Sequence, residues 1–276
     1  MLPLKDENPI HRTPFVTVLL IGSCLWVFFA WQPFLGDPTE EILFALENAA
    51  IPCEVVEGRP LTVDEIQLGT CDAGPSSAPS AFPDKSVWVA LFTSMFLHGG
   101  LLHLGGNLLF LWIFGNNIED HLGHTRYLIF YLLGGLVATA AHVGLNLDST
   151  IPVVGASGAI AAVMGAYLVW FPDAPVRTAV FFFFITIVDI RAKWLLGFWF
   201  ISQFFTSPQS GVAWAAHVGG FVFGVVVAYV VRNNNRLRRV TWTRDYQGWG
   251  AWDRTGGVGT HPYRTRRMGP GRRRRR

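Results

Sequence analysis

Residues 155–172 read GASGAIAAVMGAYLVWFP. From Ser157 to Phe171 the run carries no charge, and Pro172 with Pro175 ends it. As a helix it covers about 22 Å at about 1.5 Å per residue, against roughly 30 Å of hydrocarbon in a bilayer. A span this short leaves about 8 Å uncovered. Pro172 and Asp173 fix its inner end near the cytoplasmic surface, so its outer end at Ser157 begins below the outer surface. The connection 148–156 must then dip into the membrane. Non-helical backbone survives at that depth only inside protein or beside a water-filled cavity. The stretch therefore predicts a wet site within the bilayer.

The rest of the chain supplies that membrane. Hydrophobic residues are 51% of the 276, charged residues 15%, and the apolar residues fall in blocks. Mean hydropathy is +0.34. An average soluble domain is about 25% charged. The composition excludes a disordered chain, a coiled coil and a disulfide-dense secreted module. Spans are expected at Phe15–Leu35, Leu101–Ile118, Tyr127–Leu147, Ser157–Phe171, 192–206 and Gly211–Val231. Val87–Leu97 is an apolar approach to the second. The segment 178–188, set off by Asp189, Arg191 and Lys193, reads as interfacial or re-entrant, or as part of the fifth span. The fold expected is an all-α bundle of six transmembrane helices with a short, buried fourth helix.

Charge orients the bundle. Residues 232–276 hold 14 Arg against Asp245 and Asp253, while 35–86 hold ten acids against Arg59 and Lys85. The positive-inside rule puts the Arg-rich tail in the cytoplasm and the acidic loop outside. Six spans also bring both termini to the cytoplasmic side. The domain plan is a cytoplasmic N-terminus at 1–13, a six-span domain at 14–231 containing external loop 35–86, and a disordered cytoplasmic tail at 232–276. That tail either binds anionic lipid or is a solvated topology anchor, and nucleic acid is not expected as a partner. The N-terminus, with Lys5, Asp6 and Glu7, does not read as a removable signal, which points to a multi-pass protein of a bacterial plasma membrane. Cys53 and Cys71 share the exported loop, where they either form a disulfide or remain free thiols.

Ionisable groups inside membrane segments are functional candidates. His103 and Asn107, at i and i+4, share one face of the second span. His217 lies about 9 Å down the sixth by helix rise, near the depth of Ser157. Singly, each has a plainer reading: Ser157 as a packing residue, His217 as an interhelical hydrogen bonder, His103 with Asn107 as a polar clamp. His98 and His142 read as structural. Jointly they make a set for acyl transfer. A serine hydroxyl needs an adjacent base, for which histidine is the usual choice. The developing oxyanion needs donors, here the Ser157 N–H at a helix N-terminus, His103 and Asn107. Gly155 and Gly158 let backbone and substrate approach closely.

These residues resemble the rhomboid family of intramembrane serine proteases. The matching pieces are His98-x4-His103-x3-Asn107, Glu119-x3-Gly123, Gly155-x-Ser157-Gly158 and Ala216-His217-x2-Gly220-x3-Gly224, in the family's order over residues 88–231. The resemblance implies a dyad of nucleophile Ser157 and base His217, with His103, Asn107 and the Ser157 amide as oxyanion hole. Glu119 and Gly123 would stabilise the turn after the second span. It implies single-span membrane proteins as substrates, cut near the outer membrane boundary, and no metal or organic cofactor. Three features depart from the family, one being the long external loop 35–86 with its acidic, cysteine-bearing insert. Val89-Ala90, after Trp88, stand where members often carry Trp-Arg, and Ala161 stands where some stack a tyrosine on the histidine, so another side chain must orient His217. The alternatives are a catalytically inactive relative that scaffolds membrane-protein clients, and a transporter or channel. The latter sits poorly with polar groups confined to the outer half. The spacings Ala161-x3-Gly165, Ala162-x3-Ala166 and Gly220-x3-Gly224 predict close packing of the fourth and sixth spans.

Overall fold

The computed structural model describes residues 1–72, 78–181, 184–207 and 211–234. Of the Arg-rich tail 232–276, expected to be disordered and either to bind anionic lipid or to be a solvated topology anchor, residues 235–276 lie outside them. The chain begins with strand β1 (Leu2–Asp6) and enters α1 (Phe15–Trp26), which runs on through a π-helical turn at Val27–Trp31. A helix starting after Pro14 leaves its first N–H groups without intrahelical partners. The carboxylate of Glu119 supplies them, accepting from Val16 N and Thr17 N at 2.8 Å each and from Thr17 Oγ1 at 2.7 Å. His124 Nδ1 lies 2.6 Å from the same group. Hydrogen bonds to a charged group contribute about 1.5–3 kcal/mol each, so one buried side chain joins α1 to a helix a hundred residues away.

Helix α6 (Leu101–Phe110), a π-helical turn (Leu111–Gly115) and α7 (Asn116–Leu122) form one continuous rod. Gly123, with φ +79°, turns the chain directly into α8 (His124–Leu145). Then come α9 (Ser157–Trp170), α10 (Ala192–Gln203) and α11 (Trp214–Asn234). Among the described residues three helices are long and apolar enough to cross a membrane, Leu101–Leu122, His124–Leu145 and Trp214–Val231, and Phe15–Trp31 and Ser157–Trp170 are shorter apolar helices.

Helix α9 is the axis. Every residue from Gly158 to Tyr167 is buried, because α6–α7, α8, α10 and α11 all pack on it. Small residues permit that approach. A Cβ on Gly220 would land on the Gly158 carbonyl oxygen, and one on Gly224 on the Ala162 carbonyl oxygen, so α11 lies backbone to backbone against α9.

The all-α expectation needs correction. Pro175–Phe181 (β2) and Ile185–Arg191 (β3) form an antiparallel hairpin, and β1 pairs with β2 to give the order β1-β2-β3. The described residues of 178–188, expected to be interfacial, re-entrant or part of the fifth span, belong to this hairpin. Its Val, Thr and Ile residues favour the pleated backbone, and Arg177 faces Asp189 across the ladder, joined at 3.2 Å. Asp173 collects Lys193 and Arg191 at 2.8 and 3.4 Å. Beneath the sheet, the buried Asp6 carboxylate accepts from Asn117 Nδ2 at 2.6 Å and from the Tyr167 hydroxyl at 2.8 Å. The N-terminal segment is thus fastened to the C-terminal part of α9.

The acidic loop is a small folded insert. Asp37 caps α2 (Pro38–Asn48), α3 (Pro52–Glu57) ends at Gly58, and a Thr62/Glu65 capping box opens α4 (Val63–Leu68). Leu46, Ile51, Cys53 and Leu61 form its core, with Ile66, Cys71 and Phe82 against them. A disulfide joins Cys53 to Cys71. Lys85 and Glu54, both buried, pair at 2.5 Å, and Arg59 meets Glu65 at 2.7 Å. Helix α5 (Val87–Thr93) then leads to α6.

Candidate active site

Ser157 opens α9, and His217 lies in the first turn of α11. The close contact of these helices brings Ser157 Oγ to 2.8 Å from His217 Nε2. His217 Nδ1 lies 2.7 Å from Gln203 Oε1 on α10. An amide oxygen only accepts, so Nδ1 carries the proton and donates, leaving Nε2 to accept from the serine. The orientation of Gln203 is itself fixed, since its Nε2 donates to Trp199 O at 3.0 Å. The Trp199 ring lies 5.7 Å from the imidazole, tilted by 39°. With Ala161 too small to reach His217, Gln203 and Trp199 provide its orientation.

The donors stand on the other side. The Gly99 N–H donates to His103 Nδ1 at 3.3 Å, which puts the His103 proton on Nε2. That atom faces Ser157 across Gly155. A Cβ on Gly155 would lie 2.8 Å from His103 Nε2 and 3.5 Å from Ser157 Oγ, and φ of +126° there favours glycine. Asn107 is buried, and its Nδ2 has no hydrogen-bond partner among the described residues. A buried amide with an unused donor costs free energy, so it fits a ligand oxygen. The Ser157 N–H, at a helix N-terminus, is the third donor.

His98 is buried and stacks edge-on against His103 at 5.2 Å. Its peptide is gripped from both sides by Gln32, N to Oε1 and O to Nε2, at 2.9 Å each. His142 is half-buried on α8 with no hydrogen-bond partner on its Nδ1 among the described residues. Glu119 and Gly123 lie at the far end of the rod that starts near His103, about 24 and 30 Å away by helix rise, where Glu119 caps α1. Gly158, Gly220 and Gly224 form the α9–α11 seam. A groove of about 840 Å³ between α2 and the 97–103 segment reaches His98 and His103 but not Ser157. Among the described residues, the two carboxylate–cysteine clusters close enough to share a cation both include Cys71, whose sulfur is in the disulfide.

Gln203 and Trp199 are absent from the sequence-derived site. Their signal was present as an amide four residues after a tryptophan in an otherwise apolar helix. The pairing of Gln203 with His217 depends on how α10 meets α11, which no local pattern encodes.

The Rhomboid domain profile matches residues 85–234. The rhomboid protease GluP of Bacillus subtilis (strain 168) is 40% identical over 81 residues, 29% of this chain and 15% of the relative. Rhomboid-related protein 2 of Mus musculus is 30% identical over 205 residues, 71% of this chain and 65% of the relative. The rhomboid protease GlpG of Yersinia pestis (strain Pestoides F) is 29% identical over 137 residues, 49% of this chain and 45% of the relative. The chain thus covers less than two thirds of the length of each of these curated relatives. It belongs to the rhomboid family, whose members include proteases. With its apolar helices, it is a membrane protein.

Proposed function

We propose that the protein is an intramembrane serine endopeptidase that cuts single-span membrane proteins near the outer membrane boundary. The reading includes six spans, with both termini in the cytoplasm of a bacterial cell. The observation that carries it is the relay Ser157 Oγ, His217 Nε2, His217 Nδ1, Gln203 Oε1, with links of 2.8 and 2.7 Å.

In the acylation step, Ser157 Oγ attacks the scissile carbonyl carbon while its proton passes to His217 Nε2. The imidazolium so formed is held by Gln203 Oε1, a neutral acceptor. In a low-dielectric site a neutral amide orients the ring without the desolvation cost of a buried carboxylate. Charge developing on the carbonyl oxygen meets the Ser157 N–H, His103 Nε2–H and the Asn107 amide, each worth about 10²–10³ in rate for donors of this kind. His217 then protonates the leaving amine. The same base next activates a water to release the acyl group from Ser157 Oγ, and the serine regains its proton.

The test is cleavage of a generic single-span fusion protein in liposomes by wild type, Ser157→Ala and His217→Ala, alongside labelling by a serine-reactive phosphonate. Cleavage and labelling by wild type alone are expected. A folded wild type that does neither would overturn the enzyme reading and favour a scaffold for membrane-protein clients.

A further inference from the structure

The acidic insert grips the path into Ser157. The Val153 N–H donates to Ala50 O at 2.8 Å, and the Cys53 N–H to Ser149 O at 3.0 Å. The Ala50 N–H donates to Ser94 Oγ at 2.6 Å, and Ser94 Oγ donates in turn to Ala90 O at 2.6 Å. The Ser94 carbonyl accepts from Gly155 N at 2.9 Å, and the Thr93 hydroxyl donates to Asn48 O. Ala49 packs with Val27, Leu97 and Val154 beside these bonds. Ala50, Cys53 and Ser94 are all buried. Ser94 is therefore a knot tying the insert, α5 and Gly155 together, and Gly155 lies between His103 Nε2 and Ser157 Oγ.

Beside its ion pairs Lys85–Glu54 and Arg59–Glu65, the insert has only a small apolar core among the described residues. Its core is four buried side chains with three partly buried ones against them, and cores this small need a staple. The Cys53–Cys71 bond closes a loop with a sequence separation of 18, which restricts the unfolded alternatives of this segment. Cys53 belongs both to that core and, through its N–H, to the contact with Ser149.

We infer that residues 48–53 and Ser94 are positioning elements for Ser157, and that the Cys53–Cys71 disulfide locks them, so that reducing it slows acylation. The inference rests on the protease reading for its kinetic arm only. The redox step uses a dithiol reductant. One reagent thiolate attacks Cys71 Sγ, the half-buried partner, and expels the Cys53 thiolate. The second reagent thiol closes on the first and releases Cys71. Two electrons pass to the protein, which ends with two thiols after proton uptake, and the reagent ends as a cyclic disulfide.

The experiment compares oxidised, dithiothreitol-reduced and reoxidised full-length protein in micelles. Hydrogen exchange is read at the Val153 and Gly155 amides, and phosphonate labelling is read at Ser157. Reduction should speed exchange at both amides and slow labelling by about tenfold, with the α8 and α11 amides unchanged and reoxidation restoring both. Cys53→Ala/Cys71→Ala should behave as the reduced protein and ignore the reductant. Ser94→Ala should lower kcat for cleavage more than it raises KM, which a residue needed only for folding would not do. Unchanged exchange at Val153 and Gly155 would overturn the inference. So would loosening that extends to α8 and α11, since the bond would then serve the whole fold. A wild type that never labels would sink the protease reading, while the two amides still decide whether the insert braces the loop.

Discussion

Gly220→Ala adds one methyl group to the seam between α9 and α11. Gly220 lies three residues after His217, and the new Cβ would fall on the carbonyl oxygen of Gly158, the residue after Ser157. The Gly158 carbonyl carbon would be 3.1 Å away and Ala138 Cβ 3.3 Å. The obstacle is backbone, so no rotamer relieves it. Restoring an ordinary carbon–oxygen separation of about 3.3 Å requires the helices to part by roughly 1 Å. The Ser157 Oγ to His217 Nε2 distance, 2.8 Å in the native protein, then stretches to about 3.8 Å, outside the reach of about 2.6–3.2 Å for proton transfer. A misplacement of this size costs on the order of 10²-fold in rate, or about 2.7 kcal/mol of barrier. Overpacking costs a further 1–3 kcal/mol of stability, roughly. The assay is the second-order rate of phosphonate labelling in micelles, with thermal unfolding on the same samples. Gly197→Ala is the control, since a Cβ there meets nothing within 4 Å among the described residues. A folded Gly220→Ala protein that labels within about threefold of wild type would refute the argument that helix contact sets the dyad.

Other expectations follow from individual bonds. Gln203→Leu removes the acceptor on His217 Nδ1, frees the ring to change tautomer, and should lower kcat by about 10- to 100-fold with KM little changed. Glu119→Ala strips the N–H groups of Val16 and Thr17 of their buried partner, and should destabilise the protein by about 3 kcal/mol or more, read as a fall in Tm. Asp6 gives a pH dependence. Burial pushes its carboxyl from 3.8 up to about 6, against the opposing bonds from Tyr167 and Asn117. The folded state then holds a proton that the unfolded state releases, so this contribution is complete below about pH 4 and is lost as pH rises through about 6, a change of about 3 kcal/mol. Asp6→Asn, whose amide oxygen can keep both bonds, should remove that slope, and equal slopes for the two proteins in denaturant titrations from pH 4 to 7 would refute it.

The parts of the fold that were legible are those written in local pattern. The run Ser157–Phe171 announced a short helix among close neighbours through its small residues, and the polar groups at 103, 107, 157 and 217 stood out because membrane segments rarely carry them. The sheet was hidden because β2 finds an edge partner in Leu2–Asp6, far away in sequence, and because Val and Ile raise hydropathy and strand propensity alike. Glu119 carried a turn motif, yet its partners Val16 and Thr17 are fixed by tertiary contact, since Pro14 leaves their N–H groups unfilled. The insert was read as an acidic loop, although Thr62-x-x-Glu65 is a helix-start signature. Charge counting passed over it.

The tie between Glu119 and α1 separates two quantities that are easily equated, the region by which relatives are recognised and the unit that folds. A polypeptide begun at Lys85, where the family match starts, would keep Ser157, His217 and Gln203. It would lose the N–H groups of Val16 and Thr17 that fill the Glu119 carboxylate, Gln32 on the His98 peptide, Ala50 on Ser94, and the strand edge that covers β2. Every residue implicated in the chemistry would be present on a scaffold missing its supports. Expression boundaries drawn from homology alone should therefore yield a chain that aligns fully and folds poorly, and the first 84 residues belong to the folding unit as much as those the family match covers.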